Sequence, residues 1–88
     1  MQEDVLTDVY NLILNLETSE DERRLLVDFK NEVENDGDFE RSLQTLAEHL
    51  RQEAVKNINH KKTLSKEVGD FYKKIMSMSL FEKNLAAG

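Results

Sequence analysis

Cysteine, proline and tryptophan are absent from the 88 residues, and glycine occurs three times. Without cysteine there is no disulfide framework, no thiolate nucleophile and no cysteine-based zinc site. Without proline, helices meet no rigid break, so an all-α chain is the first expectation. Long apolar runs are missing as well. The longest are triplets such as Leu12-Ile13-Leu14, far below the roughly 20 residues that a bilayer span needs. The opening MQEDVLTDVY is acidic and lacks the apolar stretch of a signal peptide. These absences predict a soluble chain in a reducing compartment.

The length makes one domain the expectation for residues 1–88, burying about 60% of the unfolded surface, with a stability of about a few kcal/mol. That leaves no room for a deep cleft with a core of its own. Net charge is −6, which disfavours nonspecific nucleic-acid binding. The charge is uneven. Residues 1–50 hold 14 acidic and 4 basic side chains, and residues 51–88 hold 4 acidic and 8 basic. Such asymmetry either keeps a small domain soluble or suits the two ends to different partners.

Four segments show helical periodicity, near residues 3–17, 20–35, 38–58 and 65–82, with 83–88 as a flexible tail. In the first, Val5, Leu6, Val9, Tyr10, Leu12, Ile13 and Leu16 make a broad apolar face ending near Glu17. Ser19 and Glu22 then fit a capping box, followed by a stripe of Leu25, Leu26, Phe29 and Val33. Arg24 is expected to face outward and Arg23 to lie at the flank, both as solvated charges. At NDG the stop and start signals fuse: Gly37 suits a left-handed C′ position and Asp38 caps the next helix.

A corner this short makes the second and third helices antiparallel neighbours. The third segment steps through Phe39, Leu43, Leu46, Ala47, Leu50, Ala54 and Ile58. NINHKKT reads as the longest loop, Ser65 as the cap of the fourth helix, and Val68, Phe71, Tyr72 and Ile75 as its stripe. Gly69 inside that helix is expected to admit a close neighbour. The architecture expected is an antiparallel up-and-down four-helix bundle.

Chemistry finds little footing. His49 and Glu53 form a His-x-x-x-Glu pair, but neither histidine has the Glu-x-x-His spacing of di-iron bundles. His60, in NHKK, reads as a loop residue. No nucleophile beside a base, phosphate-cradling glycine loop or facing carboxylate pair is present. No catalytic residue, metal or cofactor is therefore expected. Lysines at 61, 62, 73, 74 and 83 gather positive charge around the fourth helix. They are too few and too bare of aromatics for nucleic acid, and suit an anionic membrane surface better. Beside the bundle stripe, Tyr72, Met76 and Leu80 make a second apolar line, with Met78 and Phe81 continuing the first. This is more apolar area than four short helices readily bury, and Met-rich strips commonly meet partners.

Two phrases, LLVDFKNEVENDGDFERSLQTLAEHL and TLSKEVGDFYKKI, resemble the small bacteriocin immunity proteins of lactic acid bacteria and streptococci, of the enterocin A immunity type. The shared pattern is an acidic corner before an aromatic residue that opens a long helix, here Glu34 to Phe39. A later Leu-Ser-x-x-Val-x-x-x-Tyr-x-x-Ile follows at Leu64, Ser65, Val68, Tyr72 and Ile75. The resemblance implies a non-enzymatic, cytoplasmic four-helix bundle that protects its cell from a pediocin-like pore-forming peptide. It further implies recognition of that peptide in complex with its receptor, the mannose phosphotransferase permease, in part at the inner face of the membrane. Specificity would lie in the C-terminal half. The partner-binding residues expected are His60, Lys61, Lys62, Lys73, Lys74, Met76, Met78, Leu80 and Phe81. A monomer is expected, with a dimer as the alternative. The rival functional reading is a small adaptor bundle that binds a partner helix.

Overall fold

The computed structural model describes residues 2–35, 37–58 and 64–78. Four helices make up most of them: α1, Gln2–Leu14; α2, Glu20–Glu34; α3, Phe39–Ile58; and α4, Lys66–Met76. Among the described residues there is no strand, and the fold is all-α. No helix among them is long and apolar enough to cross a membrane.

Each helix lays one stripe onto a shared core, because a 3.6-residue period brings residues three and four apart onto one face. α1 supplies Val5, Val9 and Leu12; α2, Leu26 and Phe29; α3, Leu43, Leu46, Ala47 and Leu50; α4, Val68, Phe71 and Ile75. Phe29 and Phe39 meet edge to face with centroids 6.0 Å apart, beside the α2–α3 corner. Pairings along the helices fix their directions. Tyr10 bonds to Glu34 while Ile13 bonds to Arg23, so α1 and α2 run oppositely. Phe29 meets Phe39 while Asp21 meets Lys56, which opposes α2 and α3. Asp8 meets Lys74 while Glu17 meets Ser65, which opposes α1 and α4. α3 and α4 are then antiparallel by elimination.

The corners differ from expectation in instructive ways. α1 ends at Leu14, not at Glu17, because its last carbonyls are taken from outside the helix. The Thr18 hydroxyl donates to Leu12 O at 2.7 Å, and Arg23 Nε donates to Ile13 O at 2.9 Å. Arg23 also reaches Asn15 O and Thr18 O, so it is a cap for α1 and not a solvated flank charge. The same early stop leaves Leu16 off the apolar face, where it is 95% exposed.

The capping box at Ser19 and Glu22 is present, with both reciprocal bonds formed. Gly37 sits one position beyond C′: its amide donates to Glu32 O at 2.9 Å, the six-to-one bond of a Schellman closure. A Cβ there would lie 2.5 Å from that same carbonyl oxygen, so close approach is what demands glycine. Asp38 caps α3, accepting from the Arg41 amide at 3.3 Å.

α4 runs Lys66–Met76, and residues 79–82 of the expected 65–82 lie outside the described residues. It ends at Met76, where the Ser77 amide turns back to Lys73 O and Lys74 O and the Met78 amide to Ile75 O. Gly69 has no close helix beside it: an added Cβ would meet only Leu64 Cβ, at 4.0 Å.

Candidate functional site

The surface that the sequence singles out is α4 with the residues around it. Val68, Phe71 and Ile75 face inward and are buried. Beside them Tyr72, Met76 and Met78 are half-buried, packed against the edge of the core with one side left to solvent. The expected second apolar line therefore exists at Tyr72 and Met76, and it is neither sealed nor wholly free. Lys73 is exposed on the adjoining face, where Tyr72, Lys73 and Gly69 border a shallow groove of 480 Å³ between α3 and α4.

Lys74 differs from its neighbour. Its ammonium lies 2.6 Å from Asp8 Oδ2 across the α1–α4 seam. That hydrogen bond and the Asp8 charge, with a smaller contribution from Asp4, hold its pKa above the ordinary lysine value. The side chain is paired within the molecule but remains half exposed, so a partner would compete with Asp8 for it. The pair rims a second groove, of 360 Å³, whose floor is Leu12 and Phe71 and whose edges include Glu67 and Asp70.

His60, Lys61, Lys62, Leu80 and Phe81 lie outside the described residues, as do Asn59, Lys83 and the tail. Of the expected set, Lys73, Lys74, Met76 and Met78 lie on or just after α4, with Lys74 paired to Asp8. His49 is exposed on α3, and no group of three or more potential metal ligands occurs among the described residues.

One buried polar centre is a residue that sequence reasoning read only as a helix cap. Glu22 is 1% exposed, its carboxylate enclosed where α2 begins. Oε1 accepts from the Ser19 amide at 2.9 Å and the Ser65 hydroxyl at 2.6 Å, and Oε2 accepts from the Ser65 amide at 2.8 Å. Burial by itself would raise the Glu22 pKa. The bonds from the Ser65 hydroxyl and from the Ser19 and Ser65 amides outweigh it and hold the group below the ordinary carboxylate value.

Ser65 does stand at the N-cap of α4, but its side chain caps nothing in its own helix. Its single hydroxyl proton is shared between Glu22 and the Glu17 carbonyl, the latter at 2.8 Å. Ser19 and Glu22, three apart, carried a local signal. The partnership of Glu22 with Ser65, 43 positions on, carried none.

No catalytic constellation emerges among the described residues. No curated protein and no solved structure matches the chain. A family model does match, described as the bacteriocin immunity protein family and covering residues 1–79. With helices of the expected number and order carrying the matched residues, this chain belongs to the bacteriocin immunity protein family.

Proposed function

We propose that the chain acts from the cytoplasmic side, recognising a pediocin-like peptide once that peptide is bound to the mannose phosphotransferase permease. Membership of the immunity family gives the broad role, protection against a bacteriocin, and the family is not one of enzymes. The observation that carries the finer reading is the flank of α4, where Tyr72, Met76 and Met78 keep part of their apolar surface in water beside the exposed Lys73. Covering such area in a complex gains about 25 cal/mol per Å², before the costs of association are deducted. Thioether side chains adapt their shape to a partner at little strain. Lys73 supplies local positive charge in a molecule that is acidic as a whole.

The test is a killing assay. A sensitive strain expressing the chain is challenged with pediocin-like peptides, and protection against at least one is expected. Met78→Asp should abolish that protection while leaving far-UV helicity intact. Phe81→Asp, in the segment outside the described residues, should do the same. Unchanged sensitivity to every such peptide, together with a soluble partner in pull-down, would favour the adaptor reading instead.

A further inference from the structure

α4 spans 11 residues, too few to hold a helical shape unaided. Its start has no cap of its own, since the Ser65 hydroxyl bonds away from the helix. At its far end the Lys74–Asp8 pair is solvent-exposed, the kind of pair that contributes little. What fastens the beginning of α4 is Glu22. One oxygen takes the Ser65 hydroxyl and the other takes the Ser65 amide, in part-buried bonds to a carboxylate that is itself almost wholly covered. The same carboxylate closes the capping box of α2 through the Ser19 amide.

From this geometry we propose that Glu22 is the positioning residue for α4: a single buried carboxylate, fixed to α2, that sets where the recognition helix begins and how it enters the bundle. Charge-assisted bonds to a shielded group are about twice as strong as neutral ones, and directional. The residue therefore defines an angle as well as a stability. Val68, Phe71 and Ile75 hold α4 against the core, but apolar burial is non-directional and tolerates a sliding or rocking helix. The consequence for protection rests on the reading of α4 as the recognition surface. The positioning itself does not.

The experiment follows amide hydrogen exchange of the whole chain by NMR, alongside the killing assay. Glu22→Gln places an NH₂ donor where an acceptor stood, opposite donors from Ser19 and Ser65. Amides of α4 should then exchange about tenfold faster or more, while those in the middle of α3 keep their rates. Ser65→Ala removes only the hydroxyl and leaves the α2 capping box whole, so it should loosen the same α4 amides to a smaller degree. Ser65→Thr, which restores the hydroxyl, should return them towards the native rate. Asp8→Asn should change α4 little.

Acceleration confined to the first turn of α2, or spread equally over all four helices, would overturn the proposal. So would an unchanged α4 in Ser65→Ala, which also decides the matter if Glu22→Gln does not fold. If α4 loosens yet protection persists, Glu22 keeps its positioning role and the assignment of recognition to α4 falls.

Discussion

At the scale of single residues, burial and titration make opposite demands on Glu22, and hydrogen bonding decides between them. Because its pKa in the folded chain is lower than the ordinary 4.5, the ionised form stabilises the fold, fully so above the ordinary carboxylate range. That contribution fades as pH falls through 4.5 towards the lowered folded value. Thermal melts from neutral pH down to about pH 3 should therefore show the wild type losing stability on acidification. Glu22→Gln should begin lower at neutral pH and converge with the wild type in acid. Parallel curves would mean that Glu22 does not carry the dependence. Leu16 makes the contrasting case. It is 95% exposed, so Leu16→Ser should shift stability by no more than about 0.5 kcal/mol. Leu26→Ala, at a site with no exposure, should cost about 2–5 kcal/mol. The sequence treats these two leucines alike, since each completes a helical spacing. What separates them is where α1 stops, and Arg23 and Thr18 settle that from beyond the helix.

At the scale of elements, stripes were legible and ends were not. A stripe such as Leu43, Leu46, Ala47 and Leu50 repeats within a single helix, and period alone exposes it. The capping box at Ser19 was equally readable, being complete within four residues. The stop of α1 was not readable, because its carbonyls are satisfied by side chains that fold back from α2 and its corner. Gly69 reverses the sequence expectation in a testable way, whereas Gly37 keeps its need for glycine for a different reason. Gly69 was expected to serve a close helix contact, yet an added methyl would sit in ordinary van der Waals contact with Leu64. Gly69→Ala should then stabilise the chain by about 0.5–1 kcal/mol, raising Tm by several degrees in calorimetry. Gly37→Ala should do the reverse, by about 1 kcal/mol or more, since its Cβ would be driven into the Glu32 carbonyl oxygen. A neutral Gly37→Ala would mean that the corner has another way to close.

At the scale of the whole molecule, the question is which charges on an acidic protein remain for a partner. The positive C-terminal portion was visible in the sequence, but its lysines look equivalent there. Only folding distinguishes Lys73 from Lys74, because α4 is antiparallel to α1 and sets Lys74 against Asp8, 66 positions away. The two neighbours should accordingly respond differently to the same change. Lys73→Glu alters an exposed side chain beside the Tyr72 groove, so melting should stay put while protection in the killing assay weakens. Lys74→Glu places a carboxylate against Asp8 with Asp4 close by, so melting should fall. That fall should shrink in high salt, where exposed charges are screened beyond about 3 Å at 1 M. If Lys74→Glu abolished protection without lowering Tm, the Asp8 pair would open on binding and Lys74 would belong to the recognition surface after all. If neither change touched protection, contact would rest on the apolar flank of Tyr72, Met76 and Met78, and positive charge on α4 would have no part in choosing the partner.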